Sequence, residues 1–203
     1  MGRNKGKAQV PRAAGSGSET WTLIHPPYLY LGPCSAASSP IFLNHEGITH
    51  ILSIGKTPKE HFPNITYERI PLTDEPDSLI APGIAIAVNF IDAVRVTGSK
   101  VFVHCSAAIS RSPTILVGYL MQREGMKLHQ ALGTVIRLRP TAHPNPGFIL
   151  QLKEMEIEIF GTGTLPVDQL PLSKSQKLAL FSDQRCDLLF LRCDLYALMF
   201  TYS

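Results

Sequence analysis

The chain has 203 residues, 44% of them hydrophobic, which suits one globular domain with tails better than two domains. A formal charge of +3 is too small to argue for nucleic acid or a membrane surface as a partner. Cys34, Cys105, Cys186 and Cys193 show no disulfide-framework spacing, and the polar, basic opening MGRNKGKAQV lacks an apolar signal core. The expected setting is therefore a reducing one, the cytoplasm and by extension the nucleus, in which thiols stay free to react.

Residues 1–20 carry Arg3, Lys5, Lys7 and Arg12 among Gly, Ser and Ala. Such a segment buries too little apolar surface to offset its ordering entropy, so it is expected to be a disordered basic tail. From Trp21 the pattern becomes globular. WTLI and YLYLG read as short strands, and PCSAASSP is a turn-rich connection. Ile41 to His45 predicts a short helix ending at Gly47, and the β-branched runs ITHILSIG and ITYERIPL predict two further strands.

Pro82 to Val96 reads as a helix, with Pro82 in its first turn and Ile84, Val88 and Ile91 on one stripe. KVFVHC is nearly all apolar, as a central strand buried on both faces should be. Three helices follow. The first is expected from Pro113 to Glu124 with Ser112 as N-cap, and the second from Leu128 to Leu138. In the third, Phe148, Leu152, Met155 and Ile159 form the apolar face, with Glu154, Glu156 and Glu158 turned outward. Strands alternating with helices, then helices alone, indicate an α/β fold, a mostly parallel sheet flanked by helices. Residues 161–203 read as a linker, GTGTLPVDQLPLSKSQ, followed by an apolar tail, LLFLRCDLYALMF, too short to span a membrane.

The chemistry is concentrated in VFVHCSAAISRSPT. Cys105 closes a buried strand, Arg111 comes six residues later, and a helix follows at once. Five residues at that junction, Ser106, Ala107, Ala108, Ile109 and Ser110, can wrap so that their backbone N–H groups converge on an oxyanion at the helix N-terminus. Arg111 adds a planar, permanently charged fork that holds two phosphate oxygens. A cysteine at the bottom of such an electropositive cup is a nucleophile aimed at the phosphorus it also binds. A lone cysteine is more often a core residue. His-Cys, five residues and Arg-Ser between strand and helix nevertheless arise by chance in only about one chain in a thousand.

With YLYLG, GITHILSI, FIDAV, GYLM and RP…PNPGF around it, this loop resembles the protein tyrosine phosphatase superfamily, and within it the small, atypical dual-specificity phosphatases. The resemblance runs over residues 21–160, and no second domain is expected before it. It implies the protein tyrosine phosphatase-like fold and a cysteine-dependent protein phosphatase acting on phosphotyrosine and phosphoserine/threonine of protein substrates, without cofactor or metal. It also implies roles. Asp74, 31 positions before Cys105, falls at the family's usual offset for the general acid and base, with Asp77 as the alternative. Ser112 would support the Cys105 thiolate as leaving group, and His104 and Asn145 would brace the loop. His129 and His143 are expected at the surface.

One position departs from the family pattern. The loop usually reads Cys-x-x-Gly-x-x-Arg, and here Ala108 replaces the glycine. If that position needs a positive φ, alanine strains it by about 1–2 kcal/mol. Ala108 is therefore the best argument for the alternative reading, a weak or dead pseudophosphatase that binds phosphate as an interaction module. The uncharged loop side chains argue against a phosphoinositide or a 5′-phosphorylated RNA, since no lysine sits inside it.

Overall fold

The computed structural model describes residues 21–182. The expected basic tail and the apolar C-terminal stretch lie outside the described residues. Five strands, β1 (Thr22–His25), β2 (Leu29–Pro33), β3 (His50–Ile54), β4 (Thr66–Ile70) and β5 (Val101–Cys105), form one sheet in the order β1-β2-β5-β3-β4. Only β1 runs antiparallel to its neighbour; β2, β5, β3 and β4 are parallel, as the alternation of strands and helices predicts. The helices are α1 (Pro40–Glu46), α2 (Ala81–Val96), α3 (Arg111–Arg123), α4 (Leu128–Leu138), α5 (Pro146–Phe160) and α6 (Lys174–Leu180). No helix among the described residues is long and apolar enough to cross a membrane.

The period-two alternation of the strands sorts the core into two layers. Val101, Val103 and Cys105 of β5, with Leu29 and Leu31 of β2 and Leu52 and Ile54 of β3, face the large cluster built with α2, α3, α4 and α5. Phe102, Tyr30 and Ile51 point the other way, into a smaller cluster closed by Phe42 of α1. Because β5 lies between β2 and β3, it is buried along its whole length. Its C-terminal end therefore opens where the parallel strands finish, beside the start of α3.

Local chemistry sets the helix ends. Ser39 accepts from the Phe42 N–H at 3.4 Å to start α1, and Gly47 ends it in the left-handed region at φ 68°. Asn145 accepts from the Phe148 N–H at 2.9 Å to start α5, with Pro146 at the first position. Three expectations are corrected. Helix α3 begins at Arg111, so Ser112 lies inside it and not at its N-cap. Glu156 faces inward and is fully buried, while Ile159 of the expected apolar face is exposed.

The third concerns residues 161–182, expected to be a linker: Leu165, Leu170 and Phe181 are buried against the core, and α6 packs there too. These apolar residues are spaced among Gly, Pro and Ser, which hides them from a reading by composition.

Glu156 shows how that segment is attached. Its Oε1 accepts from the Leu128 N–H at 2.8 Å and the Thr164 hydroxyl at 2.5 Å, and its Oε2 from the Thr164 N–H at 2.8 Å. A carboxylate on the first N–H groups of α4 also meets the positive end of that helix. Glu156→Ala orphans these donors, so it should lower unfolding stability by about 3 kcal/mol in urea denaturation. A loss below about 1 kcal/mol would show that the tether contributes little.

Candidate active site

Cys105 ends β5, and the five residues from Ser106 to Ser110 join it to α3. Every carbonyl of that loop is taken from outside. The Cys34 N–H donates to the Ser106 carbonyl at 3.1 Å, extending the β2–β5 ladder by one step. Arg139 donates from Nη2 to Ala107 at 3.2 Å and from Nε to Ala108 at 3.1 Å. The His143 N–H reaches the Ile109 carbonyl at 2.6 Å, and the Thr114 N–H reaches that of Ser110 at 3.0 Å. The N–H groups of Ser106 to Ser110, by contrast, donate to no protein acceptor among the described residues. Carbonyls out and amides free is the arrangement of an anion nest.

Ala108 has φ 55°, in the left-handed region that favours glycine. The loop thus adopts the conformation expected of a glycine and carries the strain in alanine, whose methyl is fully buried in the core. Gly55 is required on the opposite side. At φ 78°, a Cβ there would lie 2.2 Å from Arg111 Nη1 and 2.5 Å from the Leu72 carbonyl oxygen. The Arg111 guanidinium is seated against bare backbone, donates from Nη2 to Ser106 Oγ at 3.1 Å, and keeps a buried Nε with no hydrogen-bond partner among the described residues.

The structure gathers the other expected residues around this loop. Cys105 is buried, and the Ser112 hydroxyl donates to its Sγ at 3.2 Å. Asp74 is held over the cup: its Oδ1 accepts from Ser110 Oγ at 2.6 Å and Asn145 Nδ2 at 3.0 Å. Its Oδ2 lies 3.8 Å from Arg111 Nε. Asn145 also donates its backbone N–H to Ser110 Oγ at 3.1 Å, so one residue holds both the loop and Asp74. Gly147, two residues on, packs so tightly on the Asp74 loop that a Cβ would sit 2.0 Å from the Pro76 carbonyl oxygen. Asp77 is exposed and takes no part. A cavity of about 400 Å³ opens beside the cup, with Arg69, Asp74 and Arg111 among its walls.

His104 lies opposite Ser53 on β3. Its Nδ1 faces the Cys105 carbonyl at 3.0 Å, an acceptor only, so Nδ1 carries the proton; Nε2 then accepts from the Ser53 hydroxyl at 2.9 Å. Burial pulls its pKa down to about 4, against the opposing hydrogen bond to the Cys105 carbonyl.

His129 and His143, expected at the surface, are half-buried: His129 bonds the Leu180 carbonyl at 3.1 Å. Burial, aided by Lys177, lowers the pKa of His143. Arg139, Ser53 and Gly55 were not expected at the site, nor was a role for the Ser110 side chain. Arg139 stood in the RP pair of the recognised pattern, which was its only signal, and Ser110 was counted for its backbone alone.

The description "Dual specificity phosphatase, catalytic domain" matches residues 29–158. Dual specificity protein phosphatase 15 of Mus musculus is 41% identical over 128 residues, 63% of this chain and 54% of that protein. Dual specificity protein phosphatase 1 of Arabidopsis thaliana is 40% identical over 129 residues, 63% of this chain and 65% of that protein. The chain thus spans little more than half the length of the mouse relative. The crystal structure of DUSP15 superposes with a TM-score of 0.62 at 35% identity, covering 82% of this chain and 97% of that one.

The depressed His104 pKa has a consequence for stability. The unfolded histidine, near 6.5, binds a proton that the folded one refuses until about 4. Stability is therefore complete above pH 6.5 and declines as pH falls towards 4, by up to about 3 kcal/mol. The difference in unfolding free energy between wild type and His104→Asn, followed from pH 7 to 4, should shrink across that window. A constant difference would show that His104 does not titrate as its surroundings require.

Proposed function

The chain belongs to the dual specificity phosphatase family, and on that premise we propose that it is a cysteine-dependent protein phosphatase. It would hydrolyse phosphotyrosine and phosphoserine/threonine through a phosphocysteine intermediate. The observation that carries this reading is the loop itself, with five carbonyls engaged outward and five free N–H groups around Cys105.

A phosphate monoester dianion entering the cup meets the loop amides and the donors of Arg111, whose buried Nε makes no hydrogen bond among the described residues. The Cys105 thiolate attacks phosphorus, the S–P bond forms, and the P–O bond to the substrate side chain breaks. Asp74 gives its proton to the departing oxygen. Its Oδ1 is occupied by Ser110 and Asn145, which leaves Oδ2 for proton transfer. Asp74 then takes a proton from water as the water oxygen attacks phosphorus. The S–P bond breaks, inorganic phosphate leaves, and Cys105 returns as thiolate, stabilised by the Ser112 hydroxyl. His104 and Asn145 act on loop and acid, not on the substrate.

The pseudophosphatase alternative drew on Ala108. With Ala108 the loop keeps a left-handed residue at that position and its full set of outward bonds, so the geometry favours turnover.

Cys105→Ser should lose at least about 10³-fold of aryl phosphate turnover while retaining phosphopeptide binding, measured by hydrolysis and calorimetry on the same preparations. Full residual turnover would remove Cys105 from its role. Asp74→Ala should cost about 10²-fold on phosphoserine peptides and less on aryl phosphates with good leaving groups, with Asp77→Ala near wild type. An equal loss on both substrates would place the proton donor elsewhere.

A further inference from the structure

We propose that Lys177 of α6, beyond the residues 29–158 that match the family's catalytic-domain description, is a positioning residue for the phosphate-binding loop. The inference rests on the phosphatase reading for its activity readout, and on the geometry below for the rest.

Lys177 is only 4% exposed. Its Nζ donates to the carbonyls of Pro140 and Ala142, both at 2.9 Å, and no carboxylate pairs with it among the described residues. Burying an ammonium without a counter-charge is costly, and α6 already has Leu178, Leu180 and Phe181 to anchor it on the core. Attachment of the helix therefore does not account for the lysine. The two carbonyls it holds do.

They belong to the connection between α4 and α5, residues 139–145, which has neither helix nor strand to hold its shape. That connection is the brace of the active site. Arg139 holds the carbonyls of Ala107 and Ala108, the His143 N–H holds Ile109, and Asn145 holds Ser110 and Asp74. Four loop residues and the acid thus depend on seven residues of irregular chain, within which the Ala142 N–H donates to the Arg139 carbonyl at 2.9 Å. Lys177 engages the same turn from behind, at the carbonyls flanking Thr141. The demand on the brace is raised by Ala108, which a left-handed conformation suits less well than glycine.

The test uses the full chain. Lys177→Met removes the donors at similar length, and Leu178→Ala loosens α6 without touching the brace. For both, thermal unfolding is measured beside kcat and KM on an aryl phosphate and the rate at which iodoacetamide alkylates Cys105. Lys177→Met should lower kcat/KM about tenfold and change the alkylation rate, while Leu178→Ala, with a comparable Tm loss, stays within about twofold of wild type on both. Lys177→Arg, which keeps charge and donors, should recover part of the loss.

Equal activity per folded molecule in Lys177→Met and Leu178→Ala would make Lys177 a structural anchor only and overturn the proposal. If the wild type itself turns over no aryl phosphate, the phosphatase reading fails. The alkylation rate then decides the present one, and an unchanged rate in Lys177→Met overturns it. Where Lys177→Met does not fold, Lys177→Gln takes its place under the same criteria.

Discussion

The site depends on where five carbonyl groups point. A peptide unit aims its N–H and C=O in opposite directions, so holding a carbonyl outward turns the amide of the next residue inward. From Ser106 to Ser110 each carbonyl is held, and the holders come from different parts of the fold: the exit of β2, the connection before α5, and the first turn of α3 itself. An anion cup made of backbone alone has no preferred shape. This one takes its shape from its surroundings, and the charge of Arg111 is then seated against Gly55.

The sheet explains why those holders are in reach. In a parallel sheet the strands end together at one edge, where ligands collect. β5 is flanked by β2 and β3, so Cys34 continues one ladder past Cys105, and Ser53 faces His104 on the other. The latter pair fixes the tautomer of the histidine beside Cys105, and burial in the strand keeps that histidine neutral. A histidine inside that strand is tolerated because it finds its partner across the ladder.

Much of this was legible in the sequence, for physical reasons. An apolar run closed by Cys105 and followed six residues later by Arg111 leaves few ways to arrange a strand, a turn and a helix. The helix at Pro82 announced itself by its apolar stripe and by the proline in its first turn. Asp74 came only from the family offset, since nothing in its neighbours distinguishes an acid from a solvated loop aspartate. What escaped was polar and long-range. Glu156 sits among outward-facing glutamates and differs from them only in meeting Leu128 and Thr164 in space. Arg139 and Lys177 serve the site through backbone carbonyls, and a carbonyl leaves no trace in residue identity. Periodicity reports which face is apolar; it is silent on which charged group the fold needs inside.

Ala108 brings these strands of reasoning to one residue. Alanine at positive φ costs about 1–2 kcal/mol relative to a relaxed conformation. Against that stand the burial of its methyl, about 0.8 kcal/mol, and the smaller backbone entropy lost relative to glycine, about 0.5–1 kcal/mol. These terms nearly cancel, so replacing glycine there need not cost the fold much stability. The difference is conformational: the strained residue pulls towards φ < 0, which would turn the amides away from the cup. Arg139 opposes that with bonds to two adjacent carbonyls, each about 1.5–3 kcal/mol for a charged donor, and this exceeds the strain. A loop that tolerates alanine at this position is thus one whose shape is imposed by its brace and not by its own composition, and the brace, more than the loop motif, is where the geometry of the cup is secured.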